Sequence, residues 1–166
     1  MPVFYLDSSA ILNRYRPEHG SEVIDALLGQ PATGDQFYSS FLALLEITSA
    51  THRLVASRQM DEALGLEILA SFRRDQADRL FRLWSLTDDV VVAAVSVVER
   101  HKLRSADAIH LATSFAIAAA APSAPVVTVT SDGELVRAST AAGLAVLDPT
   151  GADAIVWLRK VRQGES

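Results

Sequence analysis

Cysteine is absent from this 166-residue sequence, and the charged residues carry no basic excess. Without cysteine, disulfides and thiolate metal sites are excluded, which fits a reducing cytoplasm. The net charge of −5 argues against a protein whose whole surface binds a polyanion. No apolar run approaches the roughly 18 residues of a membrane-spanning helix, and the N-terminus has no basic and apolar segments typical of export. We therefore expect a cytoplasmic protein that does not enter a membrane.

The composition is that of a globular domain. Hydrophobic residues make up 49% of the chain and charged residues 21%, so a chain of this length can bury a sizeable core without staples. No internal repeat or low-complexity block divides it. We expect one domain over residues 1–150, with 151–166 forming a C-terminal helix or a flexible tail.

Apolar runs that predict strands alternate with amphipathic segments that predict helices. The predicted strands are residues 3–6, 36–39, 80–86, 126–130 and 145–147. Ser40 and Thr87 are predicted to cap helices, as are Ser105 and either Ser8 or Ser9. Alternation of this kind predicts an α/β fold in which helices cover both faces of a mainly parallel sheet.

A carboxylate follows closely after two of the predicted strands. Asp7 ends the first strand, and Asp132 comes two residues after the end of the strand 126–130. Ligands bind at the carboxyl ends of strands in open α/β sheets. If these strands are neighbours, the two carboxylates repel each other unless a cation or a proton lies between them. The alternative for Asp132 is that it caps the helix beginning at Gly133.

Two further carboxylates lie on predicted helices. Glu46 has apolar neighbours throughout 41–47, and burying it unpaired would be costly, although the helix could also turn it toward solvent. Asp107 lies near the start of a helix, where an anion is also favoured simply by the helix dipole.

Together these segments resemble the motifs of PIN-domain nucleases, and most of all the VapC-type toxins of bacterial toxin–antitoxin pairs. The resemblance covers roughly residues 2–148 and is most specific around Asp107. It is carried by the apolar-flanked Glu46 and by three runs: Leu6-Asp7-Ser8-Ser9-Ala10, Leu103-Arg104-Ser105-Ala106-Asp107-Ala108-Ile109-His110-Leu111-Ala112 and Val129-Thr130-Ser131-Asp132-Gly133-Glu134-Leu135. The resemblance implies a three-layer α/β/α fold with a five-stranded sheet in the order 3-2-1-4-5.

The resemblance also implies an acidic metal site. Asp7, Asp107 and Asp132 would bind Mg²⁺ or Mn²⁺ directly or through water, and Glu46 would be a ligand or would orient the attacking water. Both ions prefer carboxylate oxygen and water as ligands. Hydroxyls would support the carboxylates, namely those of Ser9 and Thr130.

Two neighbours of Asp107 have a second interpretation each. His110 shares a helix face with Asp107, but an imidazole packed or hydrogen-bonded beside the site is favoured over a metal ligand because hard cations prefer oxygen. Arg104 is a candidate contact for RNA phosphate or, equally, an ion-pair partner of the acidic residues.

The function implied is a metal-dependent endoribonuclease, the toxin of a pair, which forms a homodimer and is neutralised by an antitoxin. The alternative is a catalytically silent PIN-like module that binds RNA or protein. A phosphatase with Asp7 as nucleophile is disfavoured, because Asp7-Ser8-Ser9 lacks the second aspartate two positions on.

Overall fold

The computed structural model describes residues 1–164, along which strands and helices alternate. The strands are β1 Val3–Leu6, β2 Gln36–Ser40, β3 Arg82–Trp84, β4 Val126–Val129 and β5 Ala145–Leu147. The helices are α1 Ser8–Tyr15, α2 Ser21–Gly29, α3 Phe41–Ala56, α4 Glu62–Ala77, α5 Asp88–His101, α6 Ser105–Ala120, α7 Gly133–Ala141 and α8 Ala154–Gln163.

All five strands pair in parallel in one sheet, in the order β3-β2-β1-β4-β5. The expected fold class and strand order are therefore confirmed. The central strand β1 pairs with β4 over its whole length, so that Leu6 lies opposite Val129. The pairing continues one residue further, because the backbone N–H of Asp7 donates to the carbonyl of Val129 at 3.1 Å. The segments that follow β1 and β4 consequently leave the sheet side by side.

Strand β1 is buried on both faces, which explains its continuous apolar sequence. Phe4 and Leu6 pack into the core that α1, α2 and α8 cover. Tyr5 points to the other face, where it packs with Ile117 of α6. Side chains alternate along a strand, so Asp7 follows Tyr5 onto the α6 face.

Several predicted element ends are wrong. Asp7 caps α1, since its carboxylate accepts from the N–H of Ala10, and neither Ser8 nor Ser9 does so. The N-cap of α6 is Arg104, with no side-chain bond, where Ser105 was expected. Strand β3 spans three residues and not 80–86, because as an edge strand it pairs only along β2.

The C-terminal segment contains α8, which packs on the body of the domain. Ala154 and Leu158 are buried in the core. Arg162, 16% exposed, donates to Asp35 at 2.7 Å and to the carbonyl of Leu27 at 3.0 Å. The boundary placed after residue 150 stays a prediction. None of the helices in residues 1–164 is long and apolar enough to cross a membrane.

Candidate active site

Asp7 is held by three donors at the end of β1. It is buried, and its two oxygens accept from Ser9 Oγ at 2.8 and 2.9 Å, from the N–H of Ala10 at 2.8 Å and from Thr130 Oγ1 at 2.7 Å. Burial raises the pKa of Asp7 despite these bonds. The two hydroxyls expected near the site, those of Ser9 and Thr130, thus both contact Asp7.

Asp132 lies three residues after the end of β4 and is the N-cap of α7, as Asp7 is of α1. Its Oδ1 accepts from the N–H groups of Glu134 and Leu135 at 2.8 and 3.0 Å, so it caps α7, as one sequence interpretation held. Its own N–H donates to Thr130 Oγ1 at 3.0 Å. Because that hydroxyl donates onward to Asp7, Thr130 joins the two aspartate segments. Asp132 stays half-exposed, so capping does not remove it from the site.

Glu46 is paired with His110, which α6 brings to it. His110 is 2% exposed, its Nε2 lies 2.6 Å from Glu46 Oε2, and its Nδ1 contacts the hydroxyl of buried Tyr5. Partial burial is the largest single influence on Glu46 and opposes its ionisation. The hydrogen bond and charge of His110, with smaller contributions from Ser8 and Arg53, together outweigh burial and lower the pKa of Glu46. An ionised carboxylate only accepts hydrogen bonds, so Nε2 carries a proton. The expectation of an imidazole hydrogen-bonded beside the site agrees with this geometry.

Asp107 lies in the first turn of α6, half-buried, and senses the other three carboxylates. Burial raises its pKa most, followed by the charge of Asp132, with further contributions from Glu46 and Asp7. The four predicted acidic residues therefore form one electrostatic cluster. No group of three or more histidine or acidic side chains within residues 1–164 is arranged to hold a metal ion. The role of the four as metal ligands stays a prediction.

The sequence profile described as "PIN domain" matches residues 4–140. The chain belongs to the PIN-domain family. Ribonuclease VapC45 of Mycobacterium tuberculosis strain CDC 1551 is 31% identical to this PIN domain over 123 residues, which are 70% of this chain and 78% of that protein. Ribonuclease VapC49 of strain H37Rv gives the same figures. These relatives confirm the resemblance on which the sequence interpretation was based.

Two solved structures share the fold of this PIN domain. VapBC-1 from nontypeable Haemophilus influenzae superposes with a TM-score of 0.57 at 13% sequence identity, covering 90% of this chain and 99% of that chain. A toxin–antitoxin complex from Klebsiella pneumoniae superposes with a TM-score of 0.53 at 17% identity, covering 80% of this chain and 87% of that chain. At these identities the likeness establishes the fold alone.

A cleft of about 450 Å³ opens beside the acidic cluster of this PIN domain, between α1 and α3. Ser9 and Glu46 line it and belong to the site, while Leu12 and Leu45 supply apolar walls. Arg53, two turns after Glu46 on α3, places a guanidinium there and helps to keep Glu46 ionised. This combination suits a ligand with both apolar and anionic parts.

Three more residues belong to the surroundings of the PIN-domain site. Arg104 is exposed and forms no ion pair with the acidic side chains within residues 1–164, and its contact with RNA stays a prediction. Sequence reasoning missed Tyr5 and Arg53. Tyr5 has the i, i+2 spacing from Asp7 that places both on one strand face, and that spacing was the available signal.

Proposed function

We propose that this PIN domain is a divalent-metal-dependent endoribonuclease and the toxin of a toxin–antitoxin pair. The observation that carries the proposal is that β1 and β4 are neighbours and Thr130 bonds both Asp7 and Asp132. The raised pKa of Asp107, to which the charges of the other three acidic residues contribute, supports it. Carboxylates that repel one another weaken the fold, so a cluster of them beside a cleft is typical of a functional site. The names of the VapC relatives support ribonuclease chemistry for it.

The donors available suit Mg²⁺ or Mn²⁺. All four carboxylates offer hard oxygen ligands, and the repulsion at Asp107 is what a cation would relieve. Asp7, Asp107 and Asp132 would hold the ion, and Glu46 would be a further ligand or would orient water. Because no three of them are preassembled in residues 1–164, binding requires side chains to move. When bound, the ion makes a water more acidic and neutralises charge on the phosphate.

The residues of the chain set up this chemistry. Ser9 and Thr130 fix both oxygens of Asp7, which keeps one corner of the site rigid. The proton on His110 Nε2 holds Glu46 ionised and in one orientation, as a carboxylate must be to accept a proton from the attacking water. Arg53 and Arg104 are the guanidinium groups we assign to RNA phosphates.

The partners of the proposed toxin are an RNA substrate and a cognate antitoxin. The structurally similar assembly from Klebsiella pneumoniae is a toxin–antitoxin complex, which supports an antitoxin for this chain as well. We expect the protein to form a homodimer. We also expect it to act in the cytoplasm, because a reducing compartment suits a protein without cysteine.

The test is RNA cleavage by metal-stripped protein before and after addition of Mn²⁺. We expect cleavage only with the ion, and none from Asp7→Asn, in which the amide can still cap α1. The control is Asp25→Asn, an exposed acid on α2, which should cleave normally. Failure of the wild type to cleave RNA with Mn²⁺ would overturn the proposal, and RNA binding without cleavage would favour the silent module.

The phosphatase alternative can be tested with the same wild-type protein. The residue two positions after Asp7 is Ser9, whose hydroxyl binds both Asp7 oxygens, and Asp7 is buried. The position where such a phosphatase has its second aspartate therefore holds a hydroxyl that binds Asp7, which disfavours this reaction. An acyl-phosphate on Asp7, detected by mass spectrometry after incubation with a phosphate ester, would support the phosphatase.

A further inference from the structure

A second pocket, of about 400 Å³, lies between the end of α5 and helix α7. Its floor is apolar, because Leu103 and Ala138 belong to a core that α5, α6 and α7 share. Four basic side chains surround this floor, namely Arg100, His101, Lys102 and Arg137. Among the described residues that line it, Glu134 is the only acid. The pocket, called the basic pocket below, therefore carries a positive charge.

Helix dipoles explain only part of this basic pocket. Arg100 and His101 lie in the last turn of α5, where a cation is favoured whether or not it binds anything. Arg137 lies in the middle of α7, where the dipole gives it no such advantage. The net charge of the chain is −5, so an excess of cations does not account for their meeting. Basic side chains from two separate elements at one pocket indicate an anionic ligand.

The cations of the basic pocket keep donors available for such a ligand. Arg137 Nη2 lies 3.9 Å from Glu134 Oε1, and both side chains are more than half exposed, so this ion pair is weak. Lys102 donates to the carbonyl of Glu99 at 2.7 Å, which uses one of its three N–H groups. Within residues 1–164 neither Arg100 nor Lys102 forms an ion pair. A phosphate that enters the pocket thus meets charged donors without displacing a strong ion pair.

Lys102 occupies its place at a backbone cost. It caps α5 with a φ of 58°, in the left-handed region that glycine adopts more readily than any other residue. A glycine here would end the helix equally well but would leave the pocket without this ammonium group. The lysine is therefore better explained by its charge than by the turn.

The basic pocket adjoins the acidic cluster. The α7 residues that line it have the i, i+3, i+4, i+7 spacing of one helix face, namely Glu134, Arg137, Ala138 and Ala141. That face begins two residues after Asp132, which accepts a hydrogen bond from the N–H of Glu134. The opposite wall continues through Arg104 into the first turn of α6, which holds Asp107. One extended ligand can therefore contact the pocket and the cluster together.

We propose that the basic pocket binds phosphates of an RNA strand whose neighbouring phosphodiester lies at the acidic cluster. The strand runs from Asp107 and Asp132 past Arg104 and along α7 to the pocket. Cations spread along a groove suit the repeated charges of a nucleic acid backbone, whereas one small anion contacts only some of them. The inference rests on the proposed function for its ligand, but it concerns binding and needs neither metal nor cleavage.

The first test measures RNA affinity without cleavage. Metal-stripped protein is titrated into a fluorescein-labelled single-stranded RNA of about 12 nucleotides, within the site sizes of such grooves, and the anisotropy is followed. Arg137→Gln should weaken binding roughly two- to fivefold, as expected for an exposed charge contact. Glu134→Gln should tighten binding by a similar factor, because it removes the acid from the pocket. A defect in folding cannot produce changes of opposite sign.

The control for both variants is Arg73→Gln, which removes an exposed cation on α4 outside the basic pocket. Its affinity for the same RNA should equal that of the wild type. A wild type that does not bind RNA, or an Arg137→Gln variant that binds it as tightly as the wild type, overturns the proposal. An Arg137→Gln variant that loses affinity for inorganic phosphate alone reveals a site for small anions, which also overturns it.

The second test counts phosphate contacts from the salt dependence of binding. Each phosphate that a protein neutralises on a single strand contributes about 0.7 to the magnitude of the slope of log affinity against log salt concentration. Lys102→Gly should reduce the slope by that amount, and Arg73→Gln should leave it unchanged. Glycine suits the φ of 58°, so circular dichroism should show an intact fold in this variant. An unchanged slope in Lys102→Gly contradicts the proposed contact.

The third test measures the contribution of the basic pocket to RNA cleavage in the presence of Mn²⁺. Because the pocket holds RNA away from the reacting phosphate, Arg137→Gln should raise KM with kcat little changed. A lower kcat at unchanged KM contradicts the proposal. A wild type that binds RNA through the pocket but does not cleave it contradicts the proposed function alone. Cleavage by a wild type whose RNA affinity is matched by that of Arg137→Gln contradicts the basic pocket alone.

Discussion

His110 Nε2 lies 2.6 Å from Glu46 Oε2, and this bond joins α6 to α3 at the edge of the acidic cluster. It explains how an apolar helix carries a carboxylate at its inner side without an unpaired buried charge. The hydroxyl of Tyr5 contacts the other ring nitrogen, so the imidazole is fixed at both ends. The orientation of Glu46 is thus set from the centre of the sheet.

Two amide substitutions of His110 should separate hydrogen bonding from packing. The side-chain nitrogen of glutamine can replace Nε2 and still donate to Glu46, whereas that of asparagine corresponds to Nδ1 and cannot. We expect kcat for RNA cleavage to fall about 10- to 100-fold in His110→Asn, the value of a hydrogen bond to a charged group, with KM little changed. His110→Gln should recover part of the loss. Equal kcat values in the two variants would mean that His110 acts only through packing.

Removing the hydroxyl of Tyr5 should destabilise the fold. Tyr5→Phe keeps the ring in its buried place but leaves Nδ1 of His110 without this partner. A buried polar atom that loses its partner costs about 1–3 kcal/mol, to be measured by urea denaturation. Tyr38→Phe is the control, because the Tyr38 hydroxyl is exposed at a long 3.4 Å bond to Gln36. A Tyr5→Phe protein as stable as Tyr38→Phe would contradict the role of this bond.

The raised pKa of Asp107 predicts the direction of a pH effect on stability. A carboxyl with a raised pKa binds its proton more tightly in the folded state. Its unfavourable contribution therefore builds up as the pH rises above the ordinary pKa of the unfolded chain, and it is fully present above the raised pKa. Asp107→Asn should therefore be more stable than the wild type at pH 7 and no different below about pH 3.5. Thermal melts across this range check it, with Asp89→Asn, in the first turn of α5, as the control. A lower Tm for Asp107→Asn at pH 7 would contradict the prediction.

Addition of a divalent metal ion should make the wild type more stable than Asp107→Asn at pH 7, the reverse of the order expected without metal. An ion that binds only the folded state stabilises it by about 2.7 kcal/mol when its concentration is a hundred times Kd. We expect Mn²⁺ to raise the Tm of the wild type at pH 7, and to raise that of Asp107→Asn much less, with both shifts abolished by a chelator. Equal shifts in the two proteins would place the ion elsewhere.

The docking of α8 predicts that the chain ending at residue 150 is less stable than the full chain. Truncation removes Ala154 and Leu158 from the core and leaves Asp35, which is 1% exposed, without Arg162. Arg162→Met alone should cost about 3 kcal/mol, because it removes the only cation beside the buried Asp35 carboxylate among residues 1–164 and leaves it with the N–H of Ala32. Arg159→Met, an exposed cation on the same helix, is the control. A truncated chain with the full denaturation midpoint would show that the domain ends at 150.

The sequence predicted the central strands better than the edge strand. The run at 3–6 coincides with β1, because a strand buried on both faces must be apolar throughout. The strand predicted at 80–86 is longer than the observed β3, which has three residues. An edge strand pairs on one side only, and the residues of the apolar run outside that pairing lie in loops. Helix caps were predicted where a hydroxyl precedes the helix, as at Ser40 and Thr87.

Part of the site was also predictable from local sequence patterns. Asp7 and Asp132 stand out in the sequence because charges seldom follow buried strands so closely without a function. Tyr5 does not stand out, since a tyrosine in a buried strand is ordinary core. Its contact with His110 joins residues 105 positions apart, and no local pattern encodes that distance.

Sequence alone determined the order of strands and helices and the four carboxylates worth testing, because burial and capping leave local patterns. Local patterns left open whether β1 and β4 are neighbours; the family resemblance implied that they are, and the tertiary structure shows it. Only the tertiary structure decided that Thr130 joins the two aspartate segments and that His110 holds Glu46. Those relationships arise from crossovers that return distant segments to one edge of the sheet, where long-range packing, and not local sequence, sets each distance.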